Sequence, residues 1–244
     1  MLVVSSGVIA FPNTCRPVIL PSRGGPPRCT QKRNMCNTFV YTDGGRLMEV
    51  AEPLATLVGR TAARAIRVLA RTDSGMTGRQ VARVAGVASH TGIKRALDKL
   101  ELAGLVVVER GLQHSSYRAN RSHVLWPAIE LALEARQELE RRIVHLVDRS
   151  DVGVISVSVF GSVARGDSTA ASDVDLVVVF DDHVDTELIV ELGSMVRIWS
   201  GNDCQVFDVT RPDLRRFAME NDPLLGSWRD DAKTVYGREI RDLI

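Results

Sequence analysis

The chain of 244 residues has only four cysteines, aromatic residues make up 5% of it, and it contains no long apolar run. Each shortage excludes something. Cys15, Cys29, Cys36 and Cys204 form no Cys-x-x-Cys pair and keep no zinc-like spacing with histidines, so neither a disulfide framework nor a structural zinc site is expected. A spanning helix needs about 18 or more consecutive apolar residues, and without one no membrane association is expected. Residues 1–10 are apolar but lack a basic leader and a convincing cleavage site. Secretion is therefore not expected, and a reducing cytoplasmic setting is. Hydrophobic content of 45% and charged content of 25% are ordinary for a globular protein, and the length suits two modest domains.

The net charge of +1 conceals a segregation. Residues 48–125 carry twelve Lys/Arg against six Asp/Glu, whereas residues 150–244 carry nine against eighteen. A nucleic-acid-binding segment joined to a metal-binding catalytic segment has this distribution. Residues 1–47 hold three of the four cysteines, several prolines and Arg/Gly-rich patches, with no sustained period. They read as a disordered or non-native extension, with Met48 as the natural start; alternatively, their basic character serves nucleic-acid binding.

The most informative stretch runs from Val159-Phe160-Gly161-Ser162-Val163-Ala164-Arg165-Gly166-Asp167 to Ser172-Asp173-Val174-Asp175-Leu176 and on to Phe180. It predicts a strand, a Gly-Ser turn into a short helix, and a second strand that opens on two carboxylates. Strand residues two apart share a face, so Asp173 and Asp175 project together while Val174 and Leu176 point the other way. Two adjacent carboxylates repel unless a cation lies between them. All-oxygen ligation completed by phosphates suits Mg²⁺. The Gly161-Ser162 turn lets backbone N–H groups approach an anion closely.

These residues resemble the signature of the DNA polymerase beta-like nucleotidyltransferase superfamily, and within it the minimal nucleotidyltransferases, over about residues 151–244. The shared phrase is Gly-Ser-x-Ala-Arg-Gly followed by Ser-Asp-x-Asp-Leu. The resemblance implies that Asp173 and Asp175 hold Mg²⁺ and the triphosphate. Gly161 and Ser162 would grip the β- and γ-phosphates, assisted by Arg165. It also implies a third acid on a neighbouring strand, binding the catalytic metal and helping to deprotonate the attacking hydroxyl. Asp208, in the apolar stretch Cys204–Val209, fits that place. Asp203 is the rival, but it stands at the strand entrance beside Gly201-Asn202 and reads as a turn residue. A metal-free site of this kind should show raised carboxylate pKa values.

Upstream, Leu54, Leu57, Val58, Ala62, Ala65, Ile66 and Leu69 recur at helical spacing behind Pro53. Thr77 predicts the cap of a short helix and Ser89 the cap of another running to about Leu102. Leu105–Arg110 and Ser115–Ala119 predict a two-stranded ribbon. Helix, helix, turn, helix and ribbon resemble a winged helix-turn-helix of the MarR/ArsR-like kind, the phrase Leu97-x-x-Leu100-x-x-Ala103-Gly104-Leu105-Val106 carrying most of the likeness. The resemblance implies DNA contact through His90, Thr91, Lys94 and Arg95 on the recognition helix and Arg110, His114 and Arg118 on the wing. Residues 125–148 predict one long linking helix that is also a candidate homodimer interface.

The expected architecture is thus a two-domain α/β protein. Residues 48–124 form an α+β winged helix-turn-helix, 125–149 a linker helix, and 150–244 a polymerase beta-like transferase, a mixed sheet flanked by helices. The expected activity is Mg²⁺-dependent transfer of a nucleoside monophosphate, AMP from ATP first, to a hydroxyl of a protein or RNA acceptor. A toxin–antitoxin type system is one setting. The alternative is a DNA-binding transcriptional regulator whose transferase fold senses nucleotide or holds a partner without turnover.

Overall fold

The computed structural model describes residues 47–150 and 152–244, so the extension expected over residues 1–47 lies, but for its last residue, outside the described residues. The first body of the chain opens on α1 (Pro53–Val58) and α2 (Arg60–Ala70). The apolar spacing from Leu54 to Leu69 predicts one helix, but Gly59 divides it with φ 82° and ψ 150°, a backbone that glycine alone takes cheaply. After β1 (Met76–Thr77), Thr77 caps α3 (Gly78–Val84): its hydroxyl accepts from Gln80 N–H while the Gln80 side chain accepts from Thr77 N–H. Ser89 caps α4 (His90–Leu102) by accepting from Gly92 N–H.

The strands β2 (Val106–Arg110) and β3 (Ser115–Ala119) pair antiparallel, from Val106 opposite Ala119 to Arg110 opposite Ser115. The two-residue β1 adds to the far side of β3, an addition too short for any pattern to announce. Leu54, Ile66, Leu69, Val81, Ile93, Leu97, Leu100 and Tyr117 are buried as one core.

The helix expected over 125–148 is two, α5 (Trp126–Leu133) and α6 (Ala135–Asp148), which meet at Glu134. The break has a packing reason. Trp126 and Ile129 of α5 belong to the first core, whereas Leu139, Ile143, Leu146 and Val147 of α6 belong to a second. The break at Glu134 falls between the residues that serve the two cores.

The second body contains β4 (Val154–Phe160), α7 (Gly161–Arg165), β5 (Val174–Phe180), α8 (Thr186–Ser200) and β6 (Cys204–Thr210). It continues through α9 (Arg211–Glu220), α10 (Pro223–Asp231), β7 (Lys233–Gly237) and a 3₁₀ turn (Ile240–Asp242). The sheet order is β6-β5-β4-β7, with β4 antiparallel to both its neighbours and β5 parallel to β6. Helix α8 is the crossover that a parallel pair requires. Val157, Val159, Leu176, Val178 and Phe180 pack against α6 and α8 on one face. Phe160, Val177 and Val179 meet Leu214, Leu225 and Trp228 of α9 and α10 on the other. Burial on both faces explains why Leu176–Phe180 is an unbroken apolar run.

Met48 and Val50 fall in the segment assigned from sequence to the winged helix, yet they pack with the second body. Val50 is buried in the core of α6 and α8. The Asn202 side chain, fully buried, accepts from Met48 N–H at 3.2 Å and donates to the carbonyls of Met48, Ala170 and Ser172 at 3.1, 3.2 and 3.0 Å. Asn202→Ala strands those buried groups and is expected to cost about 3 kcal/mol, since a single unsatisfied buried polar group costs about 1–3. The midpoint of urea unfolding reads that loss.

Candidate active site

The two carboxylates stand where antiparallel β4 ends beside the beginning of β5. Phe160, the last residue of β4, lies opposite Asp175, so Gly161 arrives directly against the Asp175 side chain. Gly161 has φ +67°, and a Cβ placed there would sit 2.5 Å from Asp175 Oδ2. Glycine is thus required twice, by the backbone and by the neighbouring oxygen. From Gly161 the chain enters the single turn of α7, and the Ser162 carbonyl accepts from the N–H groups of Gly166, Asp167 and Ser168, closing the loop that leads to Asp173.

Val174 and Leu176 are buried while Asp173 and Asp175 are partly exposed, the alternation that period two predicts. The Asp175 carboxyl is held above its ordinary pKa, first by desolvation and then by the charge of Asp173, with Arg165 opposing. Burial and the neighbouring like charge both disfavour the ionised form of Asp175.

Arg165 is already engaged. Its guanidinium donates to Asp231 at 2.8 Å and to Asp167 at 3.2 Å, and its own pKa is raised by both. A phosphate at Gly161-Ser162 would have to compete with Asp231 for it.

The structure does not bring Asp208 to the pair. In the parallel register Asp175 stands beside Gln205 and Val178 beside Asp208. Asp208 is therefore three residues further along, about 10 Å at the usual rise per residue, and on the opposite face of the sheet. Its apolar neighbours matched the expected pattern, but the parallel register pairs it with Val178 rather than Asp175. Asp203 is no substitute, because it forms an ion pair with Arg197 at 3.1 Å. Gln205 occupies the place, and its Nε2 donates to Asp173 Oδ2 at 2.8 Å. Cys-Gln-Val has the same apolar-polar-apolar pattern as Phe-Asp-Val, so the sequence held the signal, but choosing between them needed the register. Among the described residues no group of three or more His, Cys, Asp and Glu is arranged to hold a metal ion.

Residues 137–224 match the family model of the nucleotidyltransferase domain, a span that runs from α6 into α10 and contains Gly161, Ser162, Arg165, Asp173, Asp175 and Gln205. The match places a nucleotidyltransferase domain at residues 137–224. Nucleotidyl transfer is its class of chemistry. No curated protein matches the chain. Among solved structures it is similar to a toxin–antitoxin with AMP-PNP, at 20% identity and a TM-score of 0.33, over 42% of this chain and 77% of that one. It is similar to tri-AMPylated Shewanella oneidensis HEPN toxin in complex with MNT antitoxin, at 19% identity and a TM-score of 0.30, over 43% and 76%. It is also similar to TrmBL2, an archaeal chromatin protein, at 19% identity and a TM-score of 0.24, over 64% and 65%.

Outside the transferase domain, His90, Thr91, Lys94 and Arg95 lie together on the exposed face of α4. Lys94 is paired with Asp98 one turn on, at 2.8 Å. Arg110 is tied to Glu101 at 2.7 Å and Arg118 to Glu109 at 3.3 Å, whereas His114 stands exposed at the ribbon tip. No histidine among them gathers metal-ligating neighbours. Cys204 is partly buried, with its thiol pushed up to about 12 by desolvation and by the nearby carboxylates, which keeps it from the thiolate form. No helix of the described residues is long and apolar enough to cross a membrane.

Sequence reasoning missed Ser168, which is nearly fully buried. Its hydroxyl accepts from Ala51 N–H at 3.2 Å and its carbonyl from Arg60 at 3.3 Å. These contacts fix the loop before Asp173 against the start of the helical body. Nothing local in the sequence marks them.

Proposed function

We propose that this transferase moves a nucleoside monophosphate from a nucleoside triphosphate, ATP first, to a hydroxyl on a protein or RNA acceptor, and that residues 48–124 form a DNA-binding winged helix-turn-helix. Residues 125–149 link it to the transferase of residues 150–244, and the exposed Leu125 and Leu131 of this segment offer a homodimer surface. One observation carries the catalytic reading. Two adjacent carboxylates open β5 against the Gly161 turn, inside the matched nucleotidyltransferase domain.

Asp173 and Asp175 fit Mg²⁺ by donor chemistry: two hard oxygens side by side, with Gln205 orienting one and burial raising the charge cost of the other. When bound, Mg²⁺ neutralises phosphate charge and polarises the α-phosphoryl group. The chain's own part is placement. Gly161 lets the backbone lie close to the phosphates, and Arg165 supplies a cation once it exchanges Asp231 for them. The acceptor oxygen bonds to the α-phosphorus, the α–β bridging bond breaks, pyrophosphate leaves, and the hydroxyl proton passes to solvent. A short catalytic sheet with little added substrate-binding apparatus suits a macromolecular acceptor, and a toxin–antitoxin partner belongs to that class.

The test is transfer of label from α-³²P nucleotides, with Mg²⁺, into protein or RNA of a bacterial lysate, with Asp173→Asn/Asp175→Asn run alongside. A labelled band lost in the variant is expected and identifies both acceptor and base. No band with any nucleotide overturns the reading.

The DNA-binding part rests on the basic exposed face of α4. Replacing His90, Lys94 and Arg95 together by Ala is expected to weaken duplex binding and to lower the slope of log affinity against log salt by about 2, about one unit per lost phosphate contact. An unchanged slope in fluorescence anisotropy sinks this part. A second reading, a regulator that holds nucleotide without turnover, is favoured by one observation: Gln205, not a third acid, stands beside the pair.

A further inference from the structure

The carboxylates near this site can be counted against what two cations would need. Asp173 and Asp175 lie on one face at the entry to β5. Beside them on β6, Gln205 is the only residue that the register brings level with Asp175. Asp208 faces the other side of the sheet, Asp203 is held by Arg197, and Asp167 and Asp231 are tied to the Arg165 guanidinium rather than aimed at the pair. A two-cation clamp on an in-line displacement places its ions about 3.5–4 Å apart, one toward the leaving oxygens and one toward the attacking oxygen. Magnesium ions take hard oxygen ligands, commonly one or two carboxylates with substrate phosphates completing the shell. Asp173, Asp175 and a triphosphate complete one such ion.

An ion toward the attacking hydroxyl would need an anionic oxygen from the neighbouring strand. Gln205 offers none. Its amide is neutral, and its Nε2 donates at 2.8 Å to Asp173 Oδ2, so the NH₂ end of the group faces the site's carboxylate. The hydrogen bond also holds Asp173 in one orientation, which favours its oxygens as ligands of a single ion rather than a bridge between two. Gln205 is itself exposed, so core packing does not dictate its identity.

We propose that this site takes one divalent cation with its nucleotide, and that Gln205 sets the number. The proposal rests on the nucleotidyltransferase reading of the site and specifies its metal stoichiometry. It makes Gln205 a positioning residue, acting through Asp173, and it leaves the attacking hydroxyl without a cation of its own.

The full-length chain, α,β-methylene-ATP and Mn²⁺ provide the test, with bound Mn²⁺ counted by the loss of the free-ion electron paramagnetic resonance signal. Wild type is expected to bind one Mn²⁺ per chain at saturating analogue. Gln205→Asp, and Gln205→Glu with its longer reach, restore a carboxylate beside the pair and are expected to bind two. Gln205→Ala is expected to stay at one, which separates a charge effect from a general loosening of the site. Two ions in wild type overturn the proposal, and so does one ion in both acidic variants when their thermal midpoints match wild type. If wild type binds neither the analogue nor Mn²⁺, the nucleotide-site reading itself falls, a result distinct from a wrong count.

Discussion

Asp175→Asn is expected to lower nucleotide transfer about a thousandfold and, at neutral pH, to raise the thermal midpoint of the same protein. The two effects come from one charge. A cation in a transferase site supplies several kcal/mol of charge stabilisation, and each 1.4 kcal/mol or so is tenfold in rate, so loss of one of only two ligating carboxylates costs about three decades. The same carboxylate is a burden on the folded chain. Desolvation and the Asp173 charge raise its pKa, with Arg165 giving partial relief. Proton uptake at Asp175 is therefore easier folded than unfolded. Its contribution to stability is complete below the ordinary carboxylate range and is lost as pH rises through the raised folded value. At neutral pH that loss is complete, and Asn removes it. The group is partly exposed, so the gain in midpoint is modest. Thermal melts of wild type and variant at several pH values read the sign: the gap closes as pH falls into the carboxylate range. A variant destabilised at neutral pH would show that Asp175 makes a favourable contact that burial and charge do not reveal.

Gly161→Ala is expected to reduce nucleotide affinity at least tenfold and transfer about a hundredfold. The added methyl lands 2.5 Å from Asp175 Oδ2, far inside van der Waals contact, and the backbone at φ +67° resists any side chain by about 1–2 kcal/mol. Asp175 cannot yield by swinging a long flexible tail, because its Cγ and Cβ lie 3.5 and 3.7 Å from the same point. Either the carboxylate turns away from its ligating position or the end of β4 shifts from β5. Misplacement by about 1 Å costs around 10² in rate in a positioned reaction. Analogue titration measures the affinity, and the lysate labelling assay the rate. Wild-type affinity in Gly161→Ala would mean that the nucleotide lies elsewhere than against this turn.

Local pattern foretold many of the parts. Thr77 and Ser89 announce α3 and α4 because a hydroxyl that satisfies an orphan N–H is a strictly local device. The run Val174–Phe180 announces a strand, and the spacing of Asp173 and Asp175 puts both on one side, since period two follows from the backbone alone. Two helix boundaries were not legible. Gly59 sits within an unbroken helical apolar pattern, and Glu134 has no breaker chemistry at all. The first break reflects a backbone conformation, the second the demand of two separate cores.

The sequence by itself determined the chemistry of the pair: which carboxylates adjoin, that a glycine turn precedes them, and that an exposed basic face lies on a capped helix upstream. Those facts depend on residues within a few positions of one another. Only the tertiary structure decided what stands beside the pair. The pairing of β6 with β5 is parallel, fixed across the long crossover of α8 and by the Val174 N–H donating to the Asp203 carbonyl at 2.8 Å. A shift of one residue in that register exchanges the two faces of a strand. The register puts Gln205 at the site and sends Asp208 to the far side of the sheet, a choice that no residue in Cys204–Thr210 could make alone.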